Sequence, residues 1–175
     1  LGYSYTDAED VNPMTSSVAF SNDKNYATSD PLDPGLATSN YVIPHRFTLV
    51  ANYDIELVED YKTTFSLFGS TNKGRPYSFV YSRNNEFEGF FSNSRQLLYV
   101  PTGPNDTNVV FAPGFDTTGF FNFINANGLD AYSGEIAPRN AFQSRWTTKV
   151  DLSLEQELPG IRDGHKTLLF LDLEN

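Results

Sequence analysis

The chain has 175 residues, a formal net charge of −10 and no cysteine. That length suits a single domain; the acidic balance excludes a nucleic-acid partner gripped by a basic stripe, and the missing cysteines exclude disulfides and thiolate metal or redox chemistry. No apolar run approaches the length of a transmembrane helix, which leaves a membrane β-barrel open because its strands carry a polar residue at every second position.

Leu1 is not an initiator Met, no signal peptide is visible, and Phe170 to Asn175 stops inside a strand pattern, so the chain reads as a piece of a longer polypeptide. In Gly2-Tyr3-Ser4-Tyr5-Thr6, Tyr3 and Tyr5 share a face with Leu1, and a strand is expected that runs to about Val11 through the acidic exit Asp7, Glu9, Asp10. From Asn12 to Pro44 the composition turns to Asn, Asp, Ser, Thr and Pro, including Asp30-Pro-Leu-Asp-Pro-Gly35, which is loop and turn chemistry. Loops of this length inside a compact domain tend to be functional.

His45 to Val58 carries the cleanest alternation of the first half. Phe47, Leu49, Ala51, Tyr53, Ile55 and Leu57 fall on one face; Thr48, Asn52, Asp54 and Glu56 fall on the other, with Val50 the exception. A short turn at Glu59-Asp60 leads into a return strand from Lys62 to about Tyr81, interrupted at Gly74-Arg75-Pro76, past which it can continue only as an edge or a bulge because proline donates no ladder hydrogen bond. Arg83 to Gln143 forms a second long insertion. Within it Asp116 is expected to cap a short helix bearing Phe120, Phe121, Phe123 and Ile124 and closed by Asn127-Gly128, and Gln96 to Val100 is expected as a short strand. Trp146 to Asn175 is a hairpin about Pro159-Gly160. Val150, Leu152, Leu154 and Leu158 oppose Lys149, Asp151, Ser153, Glu155 and Glu157, and Leu169, Leu171 and Leu173 alternate with Phe170, Asp172 and Glu174.

Connections thus alternate between long and short, and the strands run to about a dozen residues where ordinary strands average ~5–6 and a tilted membrane strand needs ~9–11. Both traits fit an all-β, antiparallel transmembrane barrel fragment of about five long strands, with two long extracellular loops and short periplasmic turns. A soluble or surface-exposed all-β binding or adhesion module is the competing architecture. It would bury the Phe47–Ile55 and Val150–Leu154 face under a second sheet.

Several segments together resemble the C-terminal barrel of TonB-dependent outer-membrane receptors of the Oar-like family. They are Tyr41-Val-Ile-Pro-His-Arg-Phe47, Ser66-Leu-Phe-Gly69 with Gly74-Arg-Pro-Tyr-Ser78, Leu97-Leu-Tyr-Val-Pro-Thr-Gly103, Ile136-Ala-Pro-Arg-Asn-Ala-Phe142, and Val150-Asp-Leu with Phe170-Leu-Asp-Leu-Glu-Asn175. The resemblance spans nearly the whole chain in a consistent order. It implies that residues 1–175 are the C-terminal portion of a barrel of 22 strands closed around an N-terminal plug that engages the TonB complex. It implies a bacterial outer-membrane location, lipid as a partner, and energised passage of a bulky solute, peptide or protein. The plug and TonB box have no counterpart here, and about five strands fall short of the eight with which single-chain barrels begin. Five strands alone leave two unpaired edges, which lipid does not tolerate.

Catalytic signals are thin. There is no Gly-x-Ser-x-Gly elbow, no phosphate-binding glycine loop and no His-Glu-x-x-His, so no enzymatic role and no cofactor is expected. His45 and His165 begin strands at opposite ends and are not expected to share a metal. On the strands, Asn52, Asp54, Glu56, Lys149, Asp151 and Glu155 are expected on a solvated lumen wall rather than as an acid/base device. Calcium is the metal whose ligand preference suits the loops Asn22-Asp23, Asp30 to Asp33 and Asn105-Asp106, though solvated turns explain the same residues. Tyr3, Tyr5, Tyr53, Tyr77, Tyr81 and Trp146 fit an aromatic girdle at the membrane interfaces or a stacking surface. In the loops Arg95, Tyr99, Arg139, Phe120 and Phe121 are candidates to meet a ligand or partner protein; Phe120, Phe121 and Tyr99 equally fit packing under the loop, and the arginines pairing with loop carboxylates.

Overall fold

A computed structural model describes residues 1–81 and 95–175, with only the backbone of Asp23 and Lys24. Arg83, the expected start of the second insertion, lies outside the described residues. The chain divides into two compact units: Leu1–Asp7 with Ile43–Gly74 and Ser144–Asn175, and Ala8–Val42 with Arg75–Gln143.

The first unit is a single antiparallel sheet. Its strands are β1 (Gly2–Tyr5), β4 (His45–Val58), β5 (Tyr61–Asn72), β8 (Thr147–Pro159) and β9 (Lys166–Leu173), in the order β1-β4-β5-β8-β9. Every alternating segment expected as a strand is present, and each long one pairs with its neighbour. β4 and β5 run in register from Arg46↔Asn72 to Ile55↔Thr63 before a bulge shifts the pairing at Val58↔Tyr61. The tight Glu59-Asp60 turn is closed by Asp60 at a φ of 66°, a left-handed backbone that Asp tolerates better than most residues. Asn72 pairs with Thr147 and Tyr5 with His45, while Thr63 pairs with Gln156. The two short turns therefore share one end of the sheet, and the long connections all leave from the other.

Two strands are shorter than the sequence suggests. β1 stops at Tyr5 because its partner turns away at Pro44, whose carbonyl takes the last hydrogen bond from Thr6 N–H at 3.1 Å. Glu9–Asp10 instead forms β2, paired with β3 (Ala37–Thr38) in the second unit. The return strand ends at Asn72 rather than Tyr81. Gly74 donates to Arg145 O at 3.1 Å, so close to Ser144 that an added Cβ would lie 2.4 Å from that residue's own. Beyond it Pro76–Tyr77 forms β6 and pairs with β7 (Phe142–Gln143) in a separate small sheet.

The second unit is built from what the sequence presents as loops. It contains α1 (Ala19–Lys24), α2 (Thr117–Ala126) and a 3-10 turn at Leu129–Tyr132. α2 starts as expected, with the Asp116 carboxylate accepting from Gly119 N–H at 2.8 Å, and Gly128 follows it at a φ of 71°. Residues 96–100 are not a regular strand. They make single bridges in three directions, Gln96 to Thr28, Leu97 to Val80 and Tyr99 to Ile136. Around them lies the core: Leu98, Val100, Ile124, Leu129 and Ala137 are buried, with Phe79, Phe120, Phe121 and Phe142 packed against them.

Candidate functional site

In an antiparallel ladder, directly paired residues project to the same side, so the register of the sheet defines its two faces. On one side Leu49, Gly69 and Val150 stand in a row. The next rows are Ala51, Leu67, Leu152 and Leu173, then Tyr53, Phe65, Leu154 and Leu171. These side chains are not buried: Leu152 is 49% exposed, Leu171 56% and Tyr53 63%. Soluble monomers rarely leave so contiguous an apolar patch in water.

Both ends of the apolar face are marked. At the end from which the long connections leave, Tyr3, Phe47, His45, Tyr5 and Trp146 form a ring cluster. Tyr3 lies 4.8 Å from Phe47, His45 stacks 6.3 Å from Trp146, and the Tyr3 hydroxyl hydrogen-bonds His45 Nδ1 at 2.9 Å. At the short-turn end the row Ile55, Thr63, Gln156, Leu169 turns partly polar, and the fully buried Thr63 donates its hydroxyl to Gln156 Oε1 at 2.5 Å. From Phe47 to Leu57 the strand spans about 34 Å at ~3.4 Å per residue. A tilt of about 40° reduces that to roughly 26 Å, close to the ~25 Å apolar band of a membrane barrel.

The opposite face carries the charge. Lys62 Nζ lies 2.8 Å from Asp54, Lys149 3.0 Å from Asp151 and Lys166 2.5 Å from Glu157. Thr64 donates to Asp54 at 2.7 Å and Ser153 to Asp172 at 2.5 Å. Five of the six residues expected on a solvated wall lie here: Asn52 in register with Ser66, Asp54 with Thr64, and Lys149, Asp151 and Glu155 on β8. Glu56 falls in the bulged stretch between Ile55 and Val58. The face is not purely polar, since Val50 pairs with Phe68 and Glu155 with Phe170. With exposed partners, such ion pairs add little stability individually and keep the face wet.

The loop candidates divide. Arg95 and Arg139 are buried, 2% and 5% exposed, and so are not available to a ligand arriving from solvent. Arg139 does find a loop carboxylate. Its Nη1 donates to Asp10 Oδ1 at 3.0 Å, its Nη2 to the Asp10 carbonyl and to Val11 O at 3.4 Å, and the guanidinium lies 6.0 Å over the Tyr26 ring. It ties β2 to the start of the 139–143 segment. Beside it Asn140, a residue no sequence signal singled out, holds a φ of 57° and donates its amide to Thr38 O at 2.7 Å.

Tyr99 and Phe120 are half-buried around a cavity of about 450 Å³, while Phe121, also half-buried, packs against the core. Phe79, Tyr99, Phe111, Phe115, Phe120 and Phe123 line it, with Phe111 stacked 5.4 Å from Phe115 and Phe79 edge-on to Phe123 at 5.5 Å. The Tyr99 hydroxyl donates to Asp106 at 3.0 Å and accepts from Asn108. Thr102 and Asn108 N–H groups donate to the Asp106 carboxylate and hold it below the usual carboxylate range, the hydroxyls of Tyr99 and Thr102 reinforcing the effect. Burial raises the Tyr81 phenol. Tyr77 and Tyr81, considered above for a membrane girdle, lie in this second unit, where Tyr77 packs on Phe79 and Phe142.

Among the described residues no three His, Asp or Glu side chains gather as a metal site. Asp30 and Asp106 both accept local backbone N–H groups, from Leu32 and from Thr102 and Asn108; the side chain of Asp23 lies outside the described residues. Compared with family models, with curated proteins and with solved structures, the chain matches none.

Proposed function

We propose that the five-stranded sheet is a stretch of the wall of an outer-membrane β-barrel, and that the chain is part of a TonB-dependent transporter of the Oar-like kind. One observation carries the reading: a broad apolar face stands exposed between a ring cluster at one end and a polar row at the other. In lipid that face is satisfied without any covering sheet, and the ring cluster sits at the height of the headgroups. The opposite face then lines an aqueous lumen, and the short turns, gathered at one end, lie on the periplasmic side. The outer edges of β1 and β9 are closed by further strands of the same barrel. The long connections then leave on the extracellular side, where the residues they carry meet the solute, peptide or protein to be carried.

A soluble adhesion module needs a cover over Leu152, Leu171 and Tyr53. Trp146 separates the two, because it is the only tryptophan in the chain. In bilayers with bromine at stepped acyl depths, Trp146 fluorescence is expected to be quenched most by the shallowest label and hardly by the deepest. An emission unaffected by brominated lipid at every depth rejects the membrane reading.

A further inference from the structure

We propose that the aromatic cavity of the second unit binds a small organic cation, an ammonium group carried on an apolar body, through the rings of Phe79, Phe111, Phe115, Phe120 and Phe123. Its volume of about 450 Å³ falls within the ~300–1,000 Å³ of small-molecule sites. The choice of charge follows from what the cavity offers. Among the described residues no charged side chain lines it, so an anion finds no counter-ion among them. The Tyr99 hydroxyl is already both donor and acceptor, to Asp106 and from Asn108, and the Tyr81 phenol, which also lines the cavity, already bonds the Tyr99 backbone, which leaves a neutral sugar or amide little to bond. The N-terminus of α2, otherwise an anion site, is occupied by the Asp116 carboxylate.

What remains are ring faces, whose quadrupoles attract cations, with two carboxylates bonded to, or next in sequence to, lining residues. Asp106 is bonded to Tyr99, and Asp116 follows Phe115 directly. The charge of the unit agrees. Ala8–Val42 and Arg75–Gln143 hold more acidic than basic residues, and Arg95 and Arg139 among the latter are buried. An apolar body alone would enter such a cavity, but a positive charge gains in addition from the ring faces and from the acidic balance of the unit. As a deepening of the transport reading, this makes amphipathic cations the class of solute met at the extracellular side.

The test is a titration of the intact protein, in lipid nanodiscs or in plain buffer, whichever keeps it folded, read at the methyl resonances of Val109 and Val110, which also border the cavity. Benzyltrimethylammonium is expected to give saturable shifts, at least about tenfold tighter than benzyl alcohol or phenylacetate. Ala112→Trp, at an exposed position on the cavity wall, is expected to abolish them while leaving the Val100 and Leu129 methyl signals in place. Equal affinity for benzyl alcohol overturns the proposal, as do shifts that persist in A112W or no saturable shift at all. Because the readout lies within the second unit, it is independent of whether the sheet faces lipid.

Discussion

The two units place similar residues in opposite surroundings. Leu129 in the second unit is fully buried, whereas Leu152 and Leu171 in the sheet are about half exposed. The second unit buries a core around Leu98, Val100 and Leu129, where apolar surface is removed from water. The sheet is one layer thick, and a single layer buries neither of its faces. Its apolar side is therefore left uncovered, and the proposed barrel wall gives that side lipid to meet.

Perturbing the two units in matched ways breaks or sharpens that comparison. The largest effect is expected from Arg139→Ala, which strips the buried partner from Asp10 and leaves carbonyls of residues 10 and 11 unpaired. Removing one member of such a pair costs ~3–5 kcal/mol, and hydrogen exchange should show the loss in the second unit while β4, β5 and β8 keep their protection. Equal loosening of the sheet would mean that the two units do not behave as separate bodies.

Next in size is a charge placed on either face of β8. Leu152→Arg is expected to cost ~2–4 kcal/mol in bilayer unfolding titrations if the residue lies near the midplane, while Ser153→Arg, one residue away on the charged face, should cost under about 1 kcal/mol. Equal costs would dissolve the distinction between the faces.

The smallest expected effect concerns Asp106. Its carboxyl is held low by the N–H groups of Thr102 and Asn108, so the unfolded chain takes up protons at higher pH than the folded one. The contribution is complete above the ordinary carboxylate value and is lost as the pH falls through the lowered one. Protection of the Asn108 amide, taken relative to its intrinsic exchange at each pH, should fall on acidification through that window, and Asp106→Asn should flatten the dependence. An unchanged acid profile in the variant would refute the role of the carboxylate.

How much could be read in advance follows the same division. The long strands were legible because alternation is local: Phe47 to Leu57 and Val150 to Leu158 announce their faces without reference to any other segment. The cap at Asp116 and the stop at Gly128 were legible for the same reason. The second unit was not, because its order is set by contacts far apart in sequence. Thr28 bridges Gln96, Asp10 meets Arg139 and Thr38 meets Asn140, and none of these leaves a periodic trace. Arg139 was recognisable as a partner for a loop carboxylate, but its burial was not. In an acidic loop-rich segment a lone arginine reads equally well as an exposed contact or an internal tie. The break at Pro76 was visible, yet only the structure shows that the chain beyond it joins a different sheet.

The central claim is that the face of Leu152, Leu154 and Leu171 meets lipid and the face of Asp151, Ser153 and Asp172 meets water. The chain has no native cysteine, so single cysteines can be placed in turn at positions 150–155 of β8 in the membrane-embedded protein and challenged with a charged, membrane-impermeant maleimide. The account predicts labelling that alternates, with positions 151, 153 and 155 reacting and 150, 152 and 154 protected until the bilayer is dissolved. Uniform labelling along the strand, or protection that survives removal of the lipid, would contradict it.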